Sequence, residues 1–296
     1  MGALRVASET RVRTARLATL TTLGVGGPAD VWEVNDEAGL RAATEQPYRV
    51  IGAGSNLLVS DRGVAERVIK LGRVYNTIAE FRGQPELWLG AATPLPGLVR
   101  RSAEAGLSGL EGLLGVPAVL GGAVAMNAGT RFGAIADSLV AAEVFVEGGL
   151  EHLSASDLAF AYRTATLPEG AIITRVRLKL TPSTPEAVRD TLARVDAARK
   201  GQPKVKSAGC AFKNPPGDSA GRLIDAGGLK GLQVGRAMVS QEHGNFIVNL
   251  GGATARDVCD LLAQIRERVA TPLDTEWRLW GFGAADREAG GCFGAS

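Results

Sequence analysis

Short apolar runs separated by glycine-rich turns dominate the first third of the chain. Residues 31–34, 48–52, 68–71 and 87–91 have the length and residue types of strands, and the second run feeds straight into a glycine turn. A helix is predicted over 98–105, stopped by Gly106. From 106 to 133 glycine and alanine crowd a segment with no long element, which reads as a loop that holds something. Strand periodicity returns at 142–147 and 171–180, with Ile173, Val176, Leu178 and Leu180 on the apolar phase. Thr181-Pro182-Ser183-Thr184-Pro185 then breaks the pattern, and 186–200 is an amphipathic helix with Val188, Leu192 and Val195 on one face. The last third alternates. Asp218 or Ser219 caps a helix through Ile224, ended by Gly227-Gly228, and 246–250 is a short strand. Thr254 and Asp257 open a capped helix through Val269, Pro272 breaks it, and 276–280 reads as a final strand. The class is α+β, with a mixed N-terminal region and a smaller C-terminal domain.

Composition narrows the function. With 45% hydrophobic and 22% charged residues, the 296-residue chain has the make-up of a globular protein of two or three units. A net charge of +2 without a basic block argues against nucleic acid as partner. No apolar run approaches the roughly 20 residues that span a membrane. Arg5, Arg11, Arg13 and Arg16 precede no apolar segment of the kind a secretory signal needs. Three cysteines, Cys210, Cys259 and Cys292, without C-x-x-C spacing, argue against a disulfide framework or a zinc site and for a reduced, cytoplasmic setting. With His152 and His243 as the whole histidine complement, no metal centre is expected.

Five places carry candidate chemistry. Gly52-Ala53-Gly54-Ser55-Asn56-Leu57 follows a strand and precedes another. Its glycines let backbone N–H groups approach an anion, yet the same residues make a tight turn. Residues 112–129 form a long Gly/Ala loop that suits close packing against a flat ligand, or close packing between domains. Tyr162-Arg163 is a catalytic pair or a surface cation–π contact. Cys210, in Ala208-Gly209-Cys210-Ala211-Phe212-Lys213-Asn214-Pro215, is a reactive thiol or a small buried hydrophobe. Glu276 lies on the terminal strand, where a carboxylate ordinarily faces solvent.

In this order, and with Thr21-Thr22-Leu23-Gly24-Val25-Gly26-Gly27, Gly106-Leu107-Ser108-Gly109-Leu110-Glu111, Ala226-Gly227-Gly228-Leu229-Lys230-Gly231 and Asn245-Phe246-Ile247-Val248-Asn249, these segments resemble the UDP-N-acetylenolpyruvoylglucosamine reductase family from about residue 20 to residue 281. The resemblance implies a vanillyl-alcohol-oxidase-type (PCMH-type) FAD-binding fold of two subdomains, 1–70 and 71–183, then a substrate-binding domain over 184–282 and a mobile tail over 283–296. It implies non-covalent FAD held by Gly52, Ala53, Gly54, Ser55, Asn56 and Leu57, with Val116, Pro117, Gly121, Gly122, Ala123, Asn127, Ala128 and Gly129 lining the rest. NADPH would be the co-substrate and an enolpyruvyl UDP-sugar the substrate, with neither nucleic acid nor membrane as partner, in a monomer or weak oligomer.

The family's catalytic positions fall on Arg163, Cys210 and Glu276, expected to converge on one face of the flavin. Arg163 would grip a carboxylate, Glu276 would need a raised pKa to meet an enolate, and Cys210 would donate the proton. Tyr162, Asn214, His243 and Lys200 are the implied substrate contacts. Two departures stand out. Part of the family has serine at the Cys210 position, and the chain passes almost directly from Arg163 into the 171–180 strand, the short form without the family's tyrosine loop. Two other readings remain open here: a flavin oxidase of the same fold, or a non-catalytic nucleotide-binding module.

Overall fold

The computed structural model describes residues 10–203, 205–283 and 292. The chain divides into two compact units. The first is Met1–Arg13, Val31–Gly52 and Glu66–Lys200; the second is Thr14–Asp30, Ala53–Ala65 and Gly201–Ser296.

In the first unit, the strand Pro28–Val34, from Val31 on, runs parallel to Arg67–Leu71, which runs parallel to Tyr48–Val50. Between them in sequence lies the helix Glu37–Thr44, absent from the pattern reading although its cap is conventional: the Asp36 carboxylate accepts the Gly39 N–H at 2.6 Å. Val34, Leu40, Ala43 and Ile69 close a core there with Phe145 and Ile172. An antiparallel sheet follows in the order Gly149–Ser154, Leu139–Val146, Ile172–Lys179, Glu86–Gly90. Its alternating apolar positions, among them Val144, Val176 and Leu89, pack on Leu95, Leu98 and Leu120. The predicted helix at 98–105 begins earlier, at Leu95, because Pro96 is tolerated in a first turn. The glycine/alanine loop contains a 3-10 turn, Glu111–Leu113, and a short α-helix, Leu120–Ala125. The helix Pro185–Ala198 starts at the predicted break, with the Thr184 hydroxyl capping it and Val188 and Val195 buried.

The second unit is a four-stranded antiparallel sheet, Ser207–Cys210, Phe246–Asn249, Ala237–Val239, Gln233–Val234, with the helices Ala220–Ala226 and Ala255–Arg268. Both predicted caps form: Ser219 accepts from the Arg222 N–H, and Thr254 and Asp257 make a reciprocal capping box. Its core recruits early parts of the chain. Leu23, Val25 and Leu58 are buried with Phe212, Ile247, Leu262 and Trp277. The strand Leu57–Val59 pairs in parallel with Arg278–Trp280, so the last predicted strand forms two residues later than expected. Among the described residues, no helix is long and apolar enough to cross a membrane.

One expectation is corrected. Cys259 and Cys292 form a disulfide, with Cα atoms 4.4 Å apart and a sequence separation of 33. Cys259 lies on the core face of its helix, and Cys292 is buried against the same core. Spacing rules miss a pair that is brought together only by folding back. The mobility expected of 283–296 falls, apart from Gly283 and Cys292, outside the described residues.

Leu58→Ala should cost about 3 kcal/mol by denaturant unfolding. Hydrogen exchange should place the lost protection on Arg278–Trp280 and the helix Ala255–Arg268, not on the sheet containing Leu139–Val146.

Candidate active site

A cavity of about 420 Å³ opens in the first unit at the carboxyl ends of its parallel strands, where Val50, Ile51, Gly52, Lys70, Leu71 and Gly72 emerge. Ligands favour this edge of a parallel sheet because the connections leave it open. The opposite walls are Ala91, Ala92, Val119, Gly121, Gly122 and Ala125, nearly all small. Small size is needed. A Cβ on Gly121 would sit 2.8 Å from the Ala91 Cβ, and one on Gly52 would sit 2.9 Å from Val119 Cγ2. The first N–H groups of the helix Leu120–Ala125 are already used: Leu120 donates to the Thr93 carbonyl and Gly121 to the Ala91 carbonyl, at 2.9 and 2.8 Å. This helix is therefore stitched to the sheet, and the cavity wall is rigid. Glu33, Arg73, Asn76, Leu167 and Ala171 also line the cavity and were not foreseen; the signal was Gly72 at a parallel strand end.

Beyond that wall the chain adopts two uncommon conformations. Asn127 has φ +39° and Arg163 φ +58°, both left-handed and both costly for residues with a Cβ. Asn127 Nδ2 donates to the Ala161 carbonyl at 3.0 Å, while its Oδ1 is buried without a hydrogen-bond partner. A buried unpaired acceptor costs about 1–3 kcal/mol unless something fills it. Arg163 Nη1 donates to the Gly129 carbonyl at 2.8 Å, and its guanidinium stands 5.3 Å from the centre of the exposed Tyr162 ring. Ala123 is fully buried, Ala128 donates its N–H to the Ala123 carbonyl, and Gly129 opens a tight hairpin with Ala134. Val116 and Pro117 form the turn before Ala118 and do not wall the cavity.

The second unit brings Cys210 and Glu276 together. Cys210 ends the strand Ser207–Cys210 opposite Phe246, after a register shift made possible by Gly209 at φ +72°. The shift leaves Cys210 half-buried while Ala211 and Phe212 go fully into the core. Two supports hold the segment from Ala211 to Lys213. The Asn245 carboxamide accepts from the Phe212 N–H at 2.9 Å and donates to the Phe212 carbonyl at 2.8 Å, replacing a strand's own pairing. On the other side the Glu276 N–H donates to the Ala211 carbonyl at 2.8 Å, Phe212 bridges Thr275, and Lys213 donates to the Asp274 carbonyl. The Cys210 thiol lies outside the disulfide, and Glu276 is half-buried next to the buried Trp277, whose indole N–H donates to the Ala208 carbonyl. Arg163 belongs to the first unit.

The remaining candidates have visible work. Gly54 has φ +64°, and a Cβ there would strike the Leu20 carbonyl at 2.2 Å. Asn56 Nδ2 donates to the Glu276 carbonyl at 3.3 Å, and the Asn56 carbonyl accepts from the Arg278 N–H, so this loop supports Glu276. Ala53 and Ser55 are half-buried, and Leu57 is buried. Asn214 Oδ1 accepts the Ala220 N–H at the start of a helix, and Lys200 is exposed. His243 Nδ1 accepts the Asn245 N–H, and its ring meets Phe246 edge-on, 4.9 Å between centres.

The family profile described as "FAD binding domain" matches residues 23–154, and that described as "UDP-N-acetylenolpyruvoylglucosamine reductase, C-terminal domain" matches residues 202–278. A UDP-N-acetylenolpyruvoylglucosamine reductase of Thermus thermophilus is 58% identical over 270 residues, 91% of this chain and 99% of the relative. That of Deinococcus radiodurans is 52% identical over 284 residues, covering 92% of this chain and 97% of the relative. A crystal structure of UDP-N-acetylenolpyruvylglucosamine reductase from Thermus caldophilus superposes with a TM-score of 0.88 at 57% identity, covering 92% of this chain and 99% of that one.

Burial, then the nearby Lys230, pushes the His243 pKa below its usual 6.5. The unfolded chain therefore binds a proton that the folded one refuses. His243 costs stability as pH falls through 6.5 toward the folded value. His243→Gln should flatten this part of the melting-temperature profile between about pH 7.5 and 5.5; an unchanged profile counts against a buried neutral ring.

Proposed function

The chain belongs to the UDP-N-acetylenolpyruvoylglucosamine reductase family, oxidoreductases with an FAD-binding domain of the vanillyl-alcohol oxidase type, and from that premise we propose its reaction in detail. With NADPH as reductant it converts the enolpyruvyl ether of UDP-N-acetylglucosamine enolpyruvate into the lactyl ether of UDP-N-acetylmuramate. Peptidoglycan precursor synthesis in the cytoplasm is the setting in which those two small molecules meet. The observation that supports this reading is the backbone bond from the Glu276 N–H to the Ala211 carbonyl, which ties Glu276 to the residue next to Cys210.

The residues present fit FAD. The cavity has small walls that a Cβ would fill, and buried Asn127 Oδ1 lacks the donor that a flavin's ring N–H groups provide. Gly52, Gly121 and Gly122, which line the cavity, would hold it there, Asn127 would meet it from beyond the wall, and the Ala53 to Leu57 loop would hold its phosphates. When bound and reduced by NADPH, FAD supplies the hydride that adds to the end of the enolpyruvyl double bond.

The chain's own residues handle charge and proton. Arg163, already fixed at Gly129, pairs its planar fork with the substrate carboxylate, where negative charge grows. Glu276 gives a carboxyl hydrogen bond to that same charge. Cys210 hands its thiol proton to the carbon next to the carboxylate. An ordinary thiol, with a pKa of ~8.5, is mostly protonated at neutral pH, yet far more acidic than a serine hydroxyl. Tyr162, Asn214, His243 and Lys200 are proposed contacts to the UDP-sugar; His243, kept neutral by burial, offers a hydrogen bond rather than a charge.

Anaerobic half-reactions test this. NADPH should bleach the yellow protein, and the enolpyruvyl UDP-sugar should restore its colour, whereas UDP-N-acetylglucosamine should not. Cys210→Ala should slow only the second step, by about 10²- to 10⁴-fold, with Cys210→Ser clearly active. Glu276→Gln should likewise spare flavin reduction. Full activity in both Cys210 variants would remove the proton donor, and recovery of colour with oxygen alone would point to an oxidase.

A further inference from the structure

The last turn of the helix Ala255–Arg268 carries a cation that the reaction above does not use. Arg266 is half-buried, and its guanidinium faces four places at once. Nε donates to the Leu273 carbonyl at 3.0 Å, and Nη2 donates to the Thr275 hydroxyl and, at 3.5 Å, to the Cys292 carbonyl. The plane lies 5.2 Å from the centre of the Phe212 ring. Thr275 in turn donates its hydroxyl to the Cys292 carbonyl at 3.1 Å and pairs with Phe212. One side chain thus touches the residue before Glu276 and the residue two beyond Cys210. Burial, which lowers the Arg266 pKa, also means that this fork is not loosely solvated.

Its far acceptor is tied to its own helix. Cys292 is 1% exposed and is bonded to Cys259, two turns upstream of Arg266. Helix, guanidinium, Thr275, Cys292 and disulfide make a closed ring of contacts beside the segments that carry Cys210 and Glu276. Sequence separation makes this tie matter. Without the bridge, position 292 is held to the core by weaker contacts, and the Thr275 and Arg266 donors lose a fixed acceptor.

We infer that Arg266 is a positioning residue for Cys210 and Glu276, and that the Cys259–Cys292 bridge keeps it engaged, so that the bridge's redox state sets how well those two groups are aligned. This rests on the catalytic reading proposed above. The switch is a thiol–disulfide exchange. A dithiol attacks one sulfur, the S–S bond breaks through a mixed disulfide, and two thiols form here while the dithiol closes to its own disulfide. Two electrons and two protons pass to the protein. In a reducing compartment a protein disulfide is the exception rather than a permanent fixture, so both states are accessible to regulation.

Stopped-flow on the FAD-loaded protein separates the two half-reactions. Arg266→Gln should slow reoxidation by the enolpyruvyl UDP-sugar by about 10- to 100-fold, the scale of a small misplacement, with flavin reduction by NADPH unchanged. Arg266→Lys, which keeps the charge but not the fork, should fall between. Combined with Glu276→Gln, the loss should be smaller than the product of the single losses, because both act on one group. Should Arg266→Gln fold poorly, Thr275→Val removes the shared hydroxyl instead. Wild type treated with dithiothreitol should release three titratable thiols on unfolding instead of one. It should show the same selective slowing, and Cys292→Ser should be slow with or without reductant. Without substrate, reduction should also speed alkylation of Cys210 by iodoacetamide, read by mass spectrometry.

Equal slowing of both half-reactions, or strictly multiplicative losses, would make Arg266 a fold-stabilising residue and overturn the inference. Unchanged rates in reduced wild type and Cys292→Ser would remove the bridge from it. If Glu276→Gln and Cys210→Ala leave reoxidation untouched, the catalytic reading itself fails and takes this inference with it.

Discussion

The Glu276 N–H reaches the Ala211 carbonyl across 2.8 Å, and that bond joins two segments far apart in the chain, one carrying Cys210 and the other Glu276. It works because both segments are held from behind. Asn245, 2% exposed, spends its carboxamide on both backbone groups of Phe212, so the polar atoms of this deep segment are paired. Asn56 adds a bond to the Glu276 carbonyl from the other direction. Backbone held this way before substrate arrives need not be ordered during reaction.

The first unit solves a different problem, how to bring backbone close to a flat group. Gly52 and Gly121 leave room where any Cβ would collide, at an entropic cost in the unfolded chain. The helix Leu120–Ala125 is bonded to Thr93 and Ala91 through its first N–H groups, so that room stays open. Around it, Asn127 and Arg163 hold left-handed conformations that ordinary packing would not select, and one carries an unpaired buried oxygen while the other has its guanidinium aimed by Gly129. Strain and an unspent acceptor are what the proposed flavin site would draw on.

Cysteine is used in two chemically opposed ways. Cys210 stays outside any bridge, on a bulge that keeps it from the core. Cys259 and Cys292 are packed into that core and joined. The same bridge positions an acceptor for Arg266 and Thr275.

Local pattern was enough for elements whose signals are contiguous. The caps at Ser219 and Thr254 and the strands around Val144 and Val176 could be read because side-chain periodicity and cap chemistry act over a few residues. The shared motifs likewise identified the family, since their order survives in the chain itself. Local pattern missed the helix at Glu37, the late start of the last strand and the cavity walls at Lys70, Arg73 and Leu167. It also pointed away from the Cys259–Cys292 bond. Folding decided these, along with the burial of Leu23 and Leu58 beside Trp277, because each depends on which distant segments share a core, and a linear pattern holds no distances between segments that hydrophobic burial alone brings together.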